Sequence, residues 1–532
     1  MTVLVLGDQL TRRVGPVDER DDPVLMVEST AFARKLPYHP HKLVAVFSAM
    51  RHYRDAVRAD GRTVYYRQAG TFRDGLAGHF ADHSGDELVV MEPPSHGAAD
   101  RLRTLAADCG GTLEVVENDL FLSTPAEFDE WAADRAGNGS SDTDGTDLPR
   151  QETFYRWMRE RTGYLMDGDD PVGGEWNYDE QNRDTPPTDY DPPDPPAFEP
   201  DETTREVGQW VEDTFEGSYD EPPYGGEWAD PGPFRWPVTR EDAERALETF
   251  VDERLPMFGD YQDAIRRDEW ALHHALLSVP LNLGLLHPRE VIEEAVEADR
   301  ERDLPINSVE GFVRQVLGWR EFMRHAYRRQ MPDMATANQL GADGPLPEFF
   351  WTGETDMACL ADVLDGVRTR GYSHHIERLM VLSNFGTLLG VEPAALDRWF
   401  HAAYVDAFDW VTTPNVVGMG TFGTDAVSTK PYVSSANYLQ RMSDHCADCA
   451  YDPDATTGDG ACPFNALYWD FLDRNEEFLR SNHRMGLVYS HLDGKSDDEL
   501  AAIRDRAGTL RERFRDGGTA RPEAGLDEFE TE

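Results

Sequence analysis

At 532 residues the chain is long enough for two domains with sizeable cores, and it carries 101 Asp and Glu against 51 Lys and Arg, a formal net charge of −50. That sign makes a phosphate-binding partner surprising and fits a salt-rich cytoplasm, where the Debye length falls to about 3 Å at 1 M and self-repulsion is screened. The 12 Trp and regular apolar periodicity argue against an acidic disordered chain, and no apolar run approaches the roughly 18 residues of a membrane helix. Met1 leads straight into an apolar strand and the polar GDQLTRR without a secretory leader, so a cytoplasmic location with reduced thiols is expected.

The first 130 residues alternate strand and helix. VLVLG (3–7), VLMVE (24–28), TVYYR (63–67), LVVME (88–92) and LEVVE (113–117) are short β-rich runs, while LVAVFSAMRHYRDAVR (43–58) and AADRLRTLAA (98–107) carry helical spacing. This pattern predicts an α/β fold with a doubly wound parallel sheet. Such sheets bind ligands beyond the carboxyl ends of their strands, so GDQ (7–9) is a candidate site. Without a GxGxxG motif an ordinary turn is the stronger reading there.

Composition changes at 131. GNGSSDTDGTD (137–147) and TPPTDYDPPDPPAFEPDE (185–202) read as acidic linker within 131–235, around the aromatic island FYRWMRERTGYLMDGDDPVGGEWNYDEQNR (154–183). From Trp236 to about residue 500 the pattern is all-α. Thr239 with Asp242 predicts an N-cap for a helix burying Ala243, Ala246, Leu247, Phe250 and Val251. Residues 501–532 read as an acidic tail.

Three helical stretches hold too many polar residues for an ordinary core. LHHALLSVPLNLGLLHP (272–288) offers His273, Ser278 and Asn282 at a Ser/Pro/Asn break where a phosphate could bind. EGFVRQVLGWREFMRHAY (310–327) sets Gln315, Trp319 and Arg320 within apolar spacing. SHHIERLMVLSNFGTLLG (373–390) is apolar nearly all round yet carries His374, His375, Glu377 and Arg378. Buried charges must be paired or neutralised, so these are candidates for function, against a satisfied structural cluster as the plainer account. No metal-hydrolase motif, Ser-His-Asp signature or P-loop appears.

Three of the five cysteines crowd into DHCADCAYDPDATTGDGACPFN (444–465). A redox CxxC would employ Cys446 and Cys449 and leave Cys462 idle, whereas one metal centre uses all three and needs a fourth ligand. Cys359 is the better candidate, ahead of His445 and of Cys109, which closes a helix-like run. Four thiolates suit structural zinc or an iron–sulfur cluster, and their spacing does not separate the two.

FVRQVLGWREF (312–322) resembles the flavin-pocket signature of the photolyase/cryptochrome superfamily. VLGDQL, the FSAMRHY helix, FYRWMRERTGYLM…GGEWNYDEQNR, the His374–His375 pair and CxxC-x12-C follow in the order of its prokaryotic iron–sulfur branch, which includes bacterial (6-4) photolyases. The resemblance covers nearly the whole chain outside the acidic linkers and tail. It implies an all-α FAD domain and a [4Fe–4S] cluster on Cys359, Cys446, Cys449 and Cys462. Phe258, Ser278 and Asn282 would lie near the phosphates and sugar of FAD, with Gln315, Trp319 and Arg320 lining the pocket and an Arg378–Asp406 pair beside the reactive flavin edge. His375, with His374 beside it, corresponds to the acid that protonates the migrating hydroxyl of a (6-4) photoproduct flipped out of UV-damaged DNA.

By the same resemblance Arg183 and Tyr432 lie on the lesion rim, and Asp179 with Asp263 are candidates for a divalent cation such as Mg2+. Trp399 and Trp351 correspond to a photoreduction chain. Phe400 departs from an expected tyrosine, and Thr412, expected to face flavin N5, departs from the Asn favoured elsewhere. Asp8, Gln9 and Glu28 would contact an antenna chromophore, 6,7-dimethyl-8-ribityllumazine or a deazaflavin. ARKLPYHPHK (33–42) and VRTRGYSHHIER (367–378) are the basic stretches that stand out for a DNA partner. The implied activity is light-driven DNA repair by a monomer. A photoreceptor with the same cofactors is the alternative, and a non-photochemical electron carrier a third.

Overall fold

The computed structural model describes residues 1–137, 148–215 and 228–515. Parts of the predicted linker (138–147 and 216–227) and of the predicted tail (516–532) lie outside the described residues.

Strands β1 (Thr2–Leu4), β2 (Val24–Ser29), β3 (Val64–Ala69), β4 (Glu87–Met91) and β5 (Thr112–Val116) form one sheet in the order β3-β2-β1-β4-β5. Every neighbouring pair is parallel, as the alternation of strand and helix requires. All six residues of β2 are buried. A parallel sheet covered on both faces accepts such continuous apolar runs, where alternation would mark a strand with one wet face.

The carboxyl end of β1 docks onto the helical part of the chain. The Leu10 N–H donates to the Leu283 carbonyl at 2.9 Å. Gly284 (φ +80°) makes the approach possible, since a Cβ there would sit 3.0 Å from the Leu10 nitrogen.

Three helices occupy the region predicted as linker. Pro125–Gly137 crosses the expected boundary at 130/131, Gln151–Thr162 opens the aromatic island, and Glu202–Phe215 packs on the helix Pro40–Ala59 through a perpendicular Phe47–Trp210 contact at 5.0 Å. Val207, Val211 and Phe215, spaced four apart, are the buried stripe that turns this acidic segment into a packed element.

Beyond Trp236 the chain is helical. Thr239 caps Arg240–Thr249 as predicted, its Oγ1 accepting from the Asp242 N–H at 3.0 Å. The expected helix-to-tail boundary at 500/501 falls inside Asp497–Arg515, which buries Ile503, Ala507 and Leu510 against the helix Pro463–Arg474. The abundance of charge in DDELAAIRDRAGTLRERFR had hidden that stripe. Four helices widen locally to π geometry, at Phe250–Arg254, Arg314–Arg320, Glu377–Ser383 and Pro414–Gly420. Such turns are rare and often sit at functional sites. Among the described residues no helix is long and apolar enough to cross a membrane.

Candidate active site

Three internal helical stretches are buried except at a few interior positions. In residues 307–327 only Arg314, Gln315 and Trp319 keep partial exposure, in 376–390 only Arg378 and Leu379, and in 410–420 only Val411, Asn415 and Met419. Each group lies on or beside a π turn. Helical spacing puts 315 with 319, and 411 with 415 and 419, on single stripes. Half-exposed positions on otherwise buried helices are where an opening between those helices would be lined, and the Trp319 Nε1–H donates to Asn415 Oδ1 at 2.9 Å to join two of the stripes. Thr412, expected to face this space, is buried; Asn415 occupies the stripe instead, and only the helical phase reveals it.

Arg378 makes two parallel bonds to Asp406, at 3.1 Å and 3.0 Å. Its Nε donates to the Ser373 carbonyl at 2.7 Å, and its guanidinium lies 4.2 Å from the Tyr404 ring centroid. Burial would lower the arginine's pKa, but Asp406, Tyr404 and Tyr372 raise it instead, so the guanidinium stays charged. Ser278 and Asn282, expected beside phosphates and sugar, turn to Asp406: the Ser278 hydroxyl donates to its carboxylate at 2.6 Å and the Asn282 amide to its backbone carbonyl at 3.0 Å. Phe258 is absorbed into an aromatic core with Phe250, Phe312 and His274.

The two adjacent histidines part ways. His375 is exposed, its Nε2 3.7 Å from Asp263 Oδ1. His374 is fully buried, removed from any substrate, and stacks on His274 with centroids 4.3 Å apart and planes 13° apart. Burial first, and the neighbouring imidazoles second, hold His274 and His374 well below the ordinary histidine range, hence neutral. His274 touches His375 edge-on at 5.2 Å and is the cluster member that sequence reasoning missed. Its neighbour His273 points elsewhere, between the Arg254 carbonyl at 3.0 Å and the Tyr190 hydroxyl at 2.6 Å. Beneath them burial pushes Glu377 up to about 8, against the His374 N–H that donates to it at 3.0 Å.

An aromatic series leads away from the ion pair. Tyr404 lies 5.8 Å from Trp399, Trp399 6.5 Å from Trp351, and Trp351 5.2 Å from Trp228. Phe400, where a tyrosine was expected, stacks on Tyr404 at 5.1 Å.

Cys359, Cys446, Cys449 and Cys462 line one small pocket with Met357, Leu439, Tyr451 and Phe464. All are free thiols. Cys359 comes from the helix Ala358–Arg370 and Cys462 stands at the start of Pro463–Arg474. His445 lines the pocket as well, and its Nε2 lies 2.9 Å from Asp362 Oδ2, tying the CxxC turn to the helix of Cys359. Burial, then neighbouring thiols, push Cys446 up to about 11 and Cys462 up to about 12. Four thiolates so crowded need a positive centre, so the donor set fits a metal cluster. As they stand, no three His, Cys, Asp or Glu among the described residues are grouped closely enough to hold a single ion.

The predicted antenna contacts separate. Glu28 is consumed by Arg51, Gln68 and Tyr66, and Gln9 donates to the Met91 carbonyl at 2.9 Å. Asp8 remains uncommitted to a cation, pushed up to about 6 by burial and by Asp409. Arg320, predicted beside Gln315 and Trp319, turns away from them. It donates to the Leu120 carbonyl and to Glu321, lies over Phe121 and Trp410, and is lowered to about 10 by burial. Glu321 in turn accepts from the Leu122 and Ser123 N–H groups, at 2.9 Å and 3.1 Å. These neighbours clamp the segment after β5 onto the helices.

At the mouth, Tyr432 is 37% exposed. Arg183 is exposed and paired with Asp179, which also lies 3.5 Å from Arg314. Two guanidinium groups answer Asp179, while Asp263 stands beside His375.

A sequence profile described as "Deoxyribodipyrimidine photo-lyase-related protein" matches residues 3–222. A protein of Agrobacterium fabrum named "(6-4) photolyase" is 40% identical over 515 residues, covering 95% of this chain and 98% of that one. The fold is shared with a bacterial class III photolyase from Agrobacterium tumefaciens (TM-score 0.57, 15% identity, 96% of this chain and 95% of that one). It is shared also with a Synechocystis cryptochrome (TM-score 0.56, 12% identity, 83% and 86%). This full-length similarity, on a fold that carries the Arg378–Asp406 pair, leads to one conclusion: the chain belongs to the photolyase-related family that contains the bacterial (6-4) photolyase.

Proposed function

We propose that the chain is a light-driven (6-4) photolyase that acts as a cytoplasmic monomer on UV-damaged DNA. The observation that carries the reading is the exposed His375 imidazole, held beside Asp263 and backed by buried neutral imidazoles, next to an opening walled by Gln315, Trp319, Asn415 and Arg378.

Those half-buried positions fit a flavin, and Gln315, Trp319 and Asn415 would hold FAD there. When bound, reduced FAD supplies the light-driven electron that initiates cleavage of the photoproduct. Arg378 and Asp406 would present a fixed charge pair to that group, with the guanidinium as the cation available to developing negative charge. His375 holds the proton for the migrating hydroxyl. His274 and His374 are too deeply buried to compete for that proton, and Asp263 orients the ring that carries it. Trp399 and Trp351 offer a route for electrons to the flavin, with Tyr404 and Trp228 extending it at either end.

The four-thiol pocket would hold a [4Fe–4S] cluster that ties the helices of Cys359 and Cys462 together. An antenna chromophore would meet Asp8 at the carboxyl end of β1, while Glu28 and Gln9 shape the strand ends behind it. The photoreceptor reading draws on Phe400 and separates from repair by one assay. Reduced protein in high salt is mixed with an oligomer bearing one (6-4) lesion, with blue light on or off. Light-dependent restoration, slowed about 10²- to 10⁴-fold in His375→Ala, is expected. Lesion binding without restoration, despite a normal reduced-flavin spectrum, moves the assignment to a photoreceptor.

A further inference from the structure

Several cations of the helical part are answered by acids: Arg183 by Asp179, and Arg266 and Arg267 by Asp444 and Asp448. Lys430, Arg441 and Arg484 differ. Among the described residues no carboxylate comes within ion-pair distance of any of them, although the chain carries 101 acidic residues. Arg484 and Lys430 are held as a unit. The Arg484 Nη1–H donates to Thr429 Oγ1 at 2.6 Å, and the Asn482 amide donates to the Thr429 carbonyl at 2.6 Å while its oxygen accepts from the Arg484 N–H at 3.0 Å.

Two residues on is Tyr432, with Asp179, Asp263, Arg183 and Arg484 as its charged surroundings. Three residues past Arg484 is Leu487, 73% exposed. Unanswered cations beside an exposed aromatic and an exposed aliphatic side chain complement a polyanion that carries stacked bases. A duplex can set its phosphates on the cations and present its damaged bases to the mouth.

We propose that Lys430 and Arg484, with Arg441 beside Tyr438, bind the phosphate backbone of duplex DNA alongside the site of His375. This rests on the repair reading and adds where the duplex lies. It also answers the conflict between an acidic chain and a nucleic-acid partner: affinity is concentrated in a few cations that no carboxylate among the described residues pairs.

The test is anisotropy titration of a labelled 30-base-pair duplex, lesion-free or with one (6-4) lesion, across a series of salt concentrations. Lys430→Gln/Arg484→Gln should flatten the slope of log affinity against log salt by about 1.8 on both duplexes, from about 0.9 for each lost phosphate contact. Arg484→Lys, which keeps the charge, should retain the wild-type slope, and Lys495→Gln, whose ammonium lies over the Trp469 ring, should leave it unchanged. An unchanged slope in the folded double variant overturns the proposal. That outcome leaves the repair reading intact if the wild type repairs, whereas a wild type that binds but never repairs in light overturns the repair reading and leaves the surface standing.

Discussion

Glu377 shows how much a single buried group can reveal. Burial is the largest influence on it and pushes its carboxyl up to about 8, opposed by the His374 N–H and by more distant arginines. A folded-state value above the unfolded one means that the native state binds the extra proton. The resulting stability is fully present below the unfolded-state value and is lost as pH rises through about 8. Urea unfolding between pH 5 and 9 should therefore show stability falling toward pH 8 and levelling above it, with that fall flattened in Glu377→Gln. A Glu377→Gln curve parallel to wild type would mean that the carboxylate is ionised in the folded protein. Adjacent residues also show what a one-dimensional pattern cannot resolve. His374 and His375, like His273 and His274, are identical letters whose side chains leave the backbone on different sides, so burial and role are assigned only when neighbouring helices arrive.

Between residues 444 and 462 the chain has little regular structure to hold it. A short 3₁₀ turn, the Asp362–His445 contact, a bridge between Asp452 and Ala461, and the Asn465 amide donating to the Pro453 and Ala455 carbonyls at 2.8 Å make up much of its framework. Such a loop gains most from a centre that draws Cys359, Cys446, Cys449 and Cys462 together. On the proposed cluster, Cys449→Ser should reduce bound iron and accelerate amide exchange in Pro463–Arg474 and in Asp497–Arg515, which packs on it. Full iron loss with unchanged exchange would assign the cluster a purely redox role. The packing of that last helix also explains why the sequence suggested a tail: three buried residues in nineteen suffice when a partner helix already stands opposite.

Across the whole molecule a net charge of −50 sets the working conditions. Many arginines are paired at the surface, and isolated pairs of that kind contribute about 0–1 kcal/mol each, so they do not offset the excess of carboxylates. Salt does so by screening. The unfolding midpoint should rise steadily between about 0.1 M and 2 M KCl, as the Debye length contracts from about 10 Å toward 3 Å and below. A flat midpoint, with flavin retained at 0.1 M, would show that the acidity serves solubility rather than salt adaptation.

Composition and periodicity by themselves determined the five-stranded parallel sheet, the helical domain and the Thr239 cap, because these follow from interactions within a few residues of sequence. Recurrent motifs carried the family, the four cysteines and the Arg378–Asp406 pair, because that chemistry tolerates few residue types. Tertiary structure decided the rest. It drew Glu28 to Arg51, Arg320 to the segment after β5, and Ser278 to Asp406; it put Asn415 in the opening, buried His374, and left Lys430 and Arg484 without acids. Each of these depends on which groups meet across long stretches of chain, and a polar side chain takes the partner that satisfies it first.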